Sequence, residues 1–228
     1  MIPTRRSPHA PRSAGMAACL AALLSGLLGL GVSGAALAHP HAWIDVGIEL
    51  EADADDRVIA LRQTWILDPT YSRYLYDDAM EQFEGATPEE KLARLAAEIL
   101  DNLAEYDWYT EVRADDRRVF GQPEGSATLA MEDQQLHFRF RLRLDEAVDP
   151  DARTLRYAIF DPTYFIEILH DGESPPRFER STGPCRMDIV KPRPDPAVVA
   201  RALALDFSQT GGTDLGRHFA EQVTVHCD

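Results

Sequence analysis

The stretch LHFRFRLRL, residues 136–144, places an apolar residue at every second position, with His137 and three arginines between them. Successive side chains of a β-strand point to opposite faces, so this pattern predicts a strand with one buried and one solvated face. Residues 42–50, AWIDVGIEL, follow the same rule, with apolar side chains at the even positions. Both segments predict half-buried strands, which are typical of antiparallel sheets.

Shorter apolar runs predict the remaining strands. They are residues 58–67, 108–112, 118–120, 155–160, 164–170, 178–180, 185–190 and 223–227. Residues 51–56 are turn-forming and join the first two strands of the chain into a hairpin.

Three segments predict helices. Residues 87–90, TPEE, form a capping box with proline at the first helical position, and helical spacing of apolar residues continues to about Tyr106. Two shorter helices are predicted at residues 196–205 and around residues 215–222. Many strands with few, dispersed helices predict an α+β fold: an antiparallel β-rich sandwich or folded sheet with two to three peripheral helices.

The composition limits the class of protein. The chain has 228 residues, of which 45% are hydrophobic and 27% charged, and its formal net charge is −15. A chain of this length and composition buries a core and forms one domain. The negative charge argues against a nucleic-acid-binding protein, because phosphate recognition needs a clustered basic surface. It favours the attraction of cations.

Residues 1–38 predict a cleaved export signal. Their charged residues are three arginines near the start, an apolar run follows, and the segment ends in ALA, the small residues that signal peptidase accepts. Cleavage makes His39 the first residue of a single periplasmic domain, residues 39–228, with 20 basic and 38 acidic side chains and no stable membrane insertion. A retained membrane anchor is the alternative, since the apolar stretch is long enough to span a bilayer.

Two cysteines, Cys185 and Cys227, remain after the predicted cleavage. In an exported protein such a pair forms one disulfide. It would close a loop of 42 residues. The chain-entropy model gives a loop of that length roughly 4 kcal/mol of stabilisation. A metal site with thiolate ligands is the alternative interpretation.

The sequence His39-Pro40-His41 brings three nitrogen donors within two residues when the chain begins at His39. These donors are the α-amine and two imidazoles, which bind zinc, nickel, cobalt or copper once deprotonated. Pro40 has no amide hydrogen, and this blocks a square-planar chelate through the backbone. What remains is an amine-plus-two-imidazole site resembling a histidine brace, or a two-histidine site completed by carboxylates. An accidental pair of solvated histidines at a frayed terminus is the alternative.

Asp68 and Asp161 are the candidate carboxylate ligands. Each ends an apolar strand at the start of the same sequence, DPTY, which occupies residues 68–71 and 161–164. A carboxylate in such a turn can project beyond the sheet. The repeat predicts paired loops on one rim or a duplicated half-domain. Ordinary Asp-Pro turn chemistry is the alternative.

The other histidines are weaker candidates for metal binding. His170 precedes a predicted turn and His218 lies in a predicted helix, so both are interpreted as surface residues or outer ligands. Residues 39–228 contain no HExxH, CxxC or GxSxG motif and no glycine-rich phosphate loop. The sequence therefore predicts no catalytic residue, and we do not expect an enzyme.

Five segments in order carry a family resemblance. They are AHPHAWID (38–45), WILD (65–68), NLAEYDWY (102–109), DPTYF (161–165) and LGRHFA (215–220). Together they resemble the periplasmic family labelled domain of unknown function 1007, also described as a periplasmic component of an uncharacterised ABC-type transport system. Members are often encoded beside nickel/cobalt-type transporters, which implies an inner-membrane metal transporter as partner. Leu67 replaces a phenylalanine frequent in the family, and no calcium loop is carried over.

These observations predict a periplasmic accessory protein that binds a divalent transition metal for a transport system. His39 and His41 are the primary ligands in this hypothesis. A copper-dependent redox enzyme with a histidine-brace-like site is one alternative. A transporter adaptor without metal, in which the DPTY turns are purely structural, is the other.

Overall fold

The structure, a computed structural model, describes residues 40–181, 183–206 and 209–227. Within these ranges it contains twelve strands and three α-helices, and the strands form two mostly antiparallel sheets. The predicted α+β class is confirmed. The predicted export signal and His39 lie outside the described residues.

The elements have the following bounds in chain order. The strands are β1 (Ala42–Ala52), β2 (Val58–Leu67), β3 (Thr110–Ala114), β4 (Arg117–Val119), β5 (Gly121–Pro123), β6 (Thr128–Glu132), β7 (Gln135–Val148), β8 (Leu155–Ile159), β9 (Ile166–His170), β10 (Arg177–Phe178), β11 (Cys185–Val190) and β12 (Gln222–Cys227). The helices are α1 (Pro69–Gln82), α2 (Pro88–Asn102) and α3 (Pro196–Leu203), with 3-10 helices at Leu103–Tyr109 and Gly216–Phe219.

The first sheet is built around β1, β2 and β7. Strand β2 pairs antiparallel with both of the others. The outer edge of β1 pairs in parallel with β9 and then with β10, and the outer edge of β7 pairs with β6 and β5. The second sheet has the order β11-β12-β8-β3-β4 and is antiparallel throughout.

The alternation of apolar and polar residues that predicts the strands matches the alternation of buried and exposed side chains in the structure. In β1 the even positions from Ala42 to Leu50 are buried, and in β7 the apolar positions from Leu136 to Leu144 are buried. One hydrophobic cluster combines side chains of both sheets and of α2. It includes Val46, Trp65, Leu95, Val112, Phe138, Tyr157 and Val225. The core therefore draws on the inner faces of both sheets.

Three helix predictions need correction. The helix predicted around residues 215–222 is only a short 3-10 helix, Gly216–Phe219, and β12 begins at Gln222. The DPTY sequence at residues 68–71, expected as a turn, is the N-cap and first turn of α1, a helix that the sequence analysis missed. Helix α2 begins as predicted, with Thr87 accepting a hydrogen bond from the Glu90 amide at 3.3 Å. It ends at Asn102 and not near Tyr106, because a 3-10 helix with a kink follows it.

Cys185 and Cys227 form a disulfide, as predicted. The two residues face each other in the register of β11 and β12. The bond therefore fixes the edge strand β11 to its neighbour. Among the helices that the structure describes, none is long and apolar enough to cross a membrane.

Candidate functional site

His41 is held in place at the point where β1 begins. Its amide donates a hydrogen bond of 2.8 Å to the Phe165 carbonyl oxygen. Its imidazole packs on the Phe165 ring, with 4.8 Å between the ring centroids. The side chain is half-buried. These two contacts with Phe165 thus hold His41 at the start of β1.

Asp68 acts as a backbone anchor between α1 and β1. Its Oδ1 accepts hydrogen bonds from the amides of Thr70 at 2.9 Å and Tyr71 at 3.0 Å, which caps the helix. Its Oδ2 accepts a bond of 3.1 Å from the amide of Trp43. Both oxygens of the carboxylate therefore have backbone donors.

Asp161 has a similar role but is almost completely buried, with 1% of its surface exposed. Its Oδ1 accepts hydrogen bonds of 2.8 Å from the amide and the hydroxyl of Thr163. Its Oδ2 accepts a bond of 3.0 Å from the amide of Ile166, and the carboxylate also bonds the Tyr109 hydroxyl. This donor set keeps a buried carboxylate satisfied within the protein.

The two DPTY segments lie near each other, although their backbones differ. Burial raises the pKa of Tyr71, and the charges of Asp68 and Asp161 raise it further. Both aspartates accept a hydrogen bond from the amide two residues later, but the first segment continues as a helix and the second as a turn with Tyr164 at φ 61°. In the described ranges, no three His, Cys, Asp or Glu side chains are grouped to hold a metal ion. His39 lies outside these ranges, so the ligand set of His39, His41, Asp68 and Asp161 stays a prediction.

The strand predicted at residues 108–112 begins only at Thr110, and a turn of left-handed backbone that no sequence motif marks lies between α2 and β3. Asp107, Trp108 and Tyr109 have φ angles of 52°, 51° and 54°, and we call these three residues the left-handed turn. An L-residue in this conformation costs roughly 1–2 kcal/mol. Such strain persists only where the surrounding structure determines the conformation, and it is common at functional sites.

A buried hydrogen-bond network holds the left-handed turn. The Thr110 hydroxyl donates to the Trp108 carbonyl oxygen at 2.8 Å, and the Gln63 amide donates to the Thr110 hydroxyl oxygen at 2.8 Å. The Trp65 indole in turn donates to Gln63 Oε1 at 3.0 Å. Gln63 has no exposed surface. Because each polar atom of this chain of bonds has a partner, the network is rigid and fixes the turn.

A cavity of about 440 Å³ lies beside the left-handed turn, and we call it the aromatic cavity. Its volume is within the range of pockets that bind small molecules. Five aromatic side chains from separate segments of the chain line the cavity. They are Trp65, Tyr71, Tyr106, Tyr109 and Phe138. Trp65 and Tyr109 stack with their ring planes 7° apart.

The chain matches a known protein family. The family described as "Protein of unknown function (DUF1007)" matches residues 24–227. The chain belongs to this family. A curated relative from Haemophilus influenzae, named "Uncharacterized protein", is 26% identical over 206 residues, which are 89% of this chain and 97% of the relative. The predicted family is confirmed.

A second, charged cavity of about 230 Å³ shares Glu105, Tyr106 and Tyr109 with the aromatic cavity in this DUF1007 protein. There Glu111 forms a two-pronged ion pair with Arg217, one bond measuring 2.9 Å, and accepts a further bond of 2.8 Å from Arg113. The hydrogen bonds from Arg217 lower the pKa of the Glu111 carboxyl to about 2. The ion pair joins β3 to the segment of the LGRHFA motif.

We expect Glu111→Gln to lower the free energy of unfolding by about 2 kcal/mol at pH 7, because it removes charged hydrogen bonds from a buried carboxylate. Glu132 forms a similar two-pronged pair with Arg139 on the surface, so Glu132→Gln is the matched control and should cost less than about 1 kcal/mol. Urea unfolding measures both.

The stabilisation that Glu111 provides should decrease as the pH falls. The folded-state pKa of Glu111 is lowered from 4.5 to about 2, so its stabilisation is complete above pH 4.5 and is lost as the pH falls toward 2. The difference between wild type and Glu111→Gln should therefore shrink at pH 3.5. A difference that stays constant between pH 7 and pH 3.5 would show that the charge of Glu111 does not cause it.

His170 is not the surface residue that the sequence analysis predicted. Its side chain is 3% exposed, and its Nδ1 lies 3.0 Å from Glu221 Oε2. Burial lowers the pKa of His170, and the Glu221 carboxylate opposes that shift. The turn that follows His170 is correctly predicted, but the His170 side chain itself points into the protein. His170 therefore belongs to the packing between β9 and the start of β12.

Proposed function

We propose that this DUF1007 protein is an exported accessory protein that binds a divalent transition metal for an inner-membrane transporter. His39 and His41 are the primary ligands. The observation that carries the proposal is the placement of His41, whose backbone and ring are both held by Phe165. An imidazole that is ordered before binding loses little entropy when it takes a ligand. The excess of acidic side chains in residues 39–228, 38 against 20 basic ones, raises the local concentration of cations.

The donor chemistry favours a site of histidine nitrogens over one that includes carboxylates. Both oxygens of Asp68 and both oxygens of Asp161 already accept hydrogen bonds from the protein. An ion would have to share those oxygens with the backbone donors that now orient them. His41 and His39, with the α-amine when residue 39 is first, are therefore the donors that we assign to the ion. Imidazole nitrogen suits zinc, copper and nickel alike.

Equilibrium dialysis of the exported protein against Zn²⁺, Ni²⁺, Co²⁺ and Cu²⁺, read by mass spectrometry, tests this proposal. We expect His41→Ala to weaken binding by roughly tenfold or more, because one of few ligands is lost. His218→Ala is the control, since this histidine is exposed on another segment. Asp68→Asn should leave the affinity unchanged.

Three results distinguish the alternatives to this proposal. A form with one extra residue before His39 should bind more weakly if the amine is a ligand, and equal affinity would restrict the site to the imidazoles. No uptake of any of the four ions by the unmodified protein would contradict metal binding and favour the adaptor. Copper-dependent consumption of peroxide would instead favour the redox enzyme.

A further inference from the structure

The charged side chains that line the aromatic cavity are all acidic. Of the described residues that line it, the charged ones are Asp101 and Glu105, and no lysine, arginine or histidine is among them. Both acidic side chains are exposed, whereas Trp65 on the inner wall is 3% exposed. The outer end of the cavity is therefore acidic and its inner end apolar.

The position of α2 adds to this negative potential. The last turn of the helix supplies Ile99, Asp101 and Asn102 to the cavity lining. The C-terminus of a helix carries partial negative charge on its carbonyl groups and stabilises cations nearby. This last turn contains no basic residue that would neutralise it. A ligand at this end of the cavity is thus favoured if it carries positive charge.

The aromatic rings of the inner wall have their polar atoms bonded to the protein. The Trp65 indole nitrogen donates to Gln63, and the Tyr109 hydroxyl bonds to Asp161. What these rings offer a ligand is therefore apolar surface and the negative face of the π system. Cations are attracted to such faces, most strongly to tryptophan and then to tyrosine.

The walls are fixed before any ligand binds. Tyr109 belongs to the left-handed turn, and Tyr106 directly precedes it. The Trp108 indole donates a hydrogen bond of 3.1 Å to the Leu100 carbonyl oxygen, which ties the turn to α2. Binding to walls that are already ordered avoids the entropy cost of arranging them.

We propose that the aromatic cavity binds a small organic cation, an amine or quaternary ammonium group on an apolar body. The apolar body lies against Trp65 and Phe138, and the cationic group lies toward the ring of Tyr106 and the carboxylates of Glu105 and Asp101. A cavity of about 440 Å³ has room for such a molecule. Among the described residues, none of the proposed metal ligands lines the cavity, and the proposal does not depend on them.

Three probes with one carbon skeleton and different charge test the proposal: 2-phenylethylammonium, 2-phenylethanol and phenylacetate. Isothermal titration of the full protein at pH 7 with EDTA present removes any contribution of metal ions. We expect the cation to bind about tenfold more tightly than the alcohol, the size of a cation–π and charge contribution. Phenylacetate should bind weakest. Equal or tighter binding of phenylacetate, or no saturable binding of the cation, would overturn the proposal.

Variants place the binding in the cavity. Glu105→Gln should weaken binding of 2-phenylethylammonium severalfold and leave binding of 2-phenylethanol unchanged. Glu98→Gln is the matched control, because Glu98 is exposed, lies on α2 and does not line the cavity. Tyr106→Leu should weaken binding of the cation more than of the alcohol. An equal loss in Glu98→Gln and Glu105→Gln would attribute the effect to net charge and contradict this site.

Discussion

The substitution Gly216→Ala is expected to lower the free energy of unfolding by more than about 3 kcal/mol. A Cβ at this position would lie 1.8 Å from the backbone oxygen of Asp161 and 2.8 Å from its carbonyl carbon. The Gly216 amide donates a 2.9 Å hydrogen bond to the Pro162 carbonyl oxygen, which holds the two backbones at this distance. The added methyl group meets backbone and not a movable side chain, so the two segments must separate.

Gly172→Ala is the control for this prediction. No atom lies within 4 Å of its added Cβ, and its φ is outside the left-handed region. We expect it to change stability by less than about 0.5 kcal/mol. Urea unfolding followed by circular dichroism measures both variants. A Gly216→Ala protein that is as stable as Gly172→Ala would show that the contact between the DPTYF and LGRHFA segments is not rigid.

Asp161→Asn is expected to destabilise the protein by about 3 kcal/mol, the second large effect. The asparagine side chain has one acceptor oxygen and an amide group that donates. Its amide nitrogen would face either the Thr163 amide or the Ile166 amide, which both donate to Asp161 now. With 1% of the residue exposed, water cannot replace the lost acceptor.

Asp68→Asn provides the comparison within the same four-residue sequence. Asparagine caps helices nearly as well as aspartate, so this variant should lose less than about 1 kcal/mol. Thermal unfolding of the two variants tests the difference. Equal losses would mean that burial of the second DPTY segment does not determine its sensitivity.

The elements that the sequence predicts well are those whose pattern is local. Strands β1, β2 and β7 follow from alternation, which burial of one face imposes directly on neighbouring residues. The start of α2 follows from its capping box, and the disulfide from an even number of cysteines in an exported chain. Each of these inferences needs only one segment of sequence.

The missed helix α1 shows a limit of such local signals. Asp68 followed by Pro69 is the same N-cap and first-position pair that is correctly assigned at Asp195 and Pro196. At residues 68–71 the identity with residues 161–164 favours a turn, whereas the Asp-Pro pair favours a helix. Two copies of one sequence fold differently because tertiary contacts select between a helix and a turn.

The aromatic cavity could not be predicted because its walls come from distant segments. Trp65, Tyr109 and Phe138 are brought together only by the folded sheets, and no spacing in the sequence connects them. The left-handed turn is equally hidden, since it contains no glycine to mark a positive φ. The segment NLAEYDWY carried the family resemblance, and its density of aromatic residues was the available signal.

The parallel pairing of β1 with β9 has a kinetic consequence. Trp43 and Glu167 are joined by a hydrogen bond across 124 residues of chain, whereas β1 and β2 meet through a short hairpin. Closing the longer loop costs roughly 3 kcal/mol more entropy than closing a hairpin. Folding rates fall as contacts become more distant in sequence. Completion of the first sheet is therefore a late event, and its outer edge stays open until the ninth strand docks.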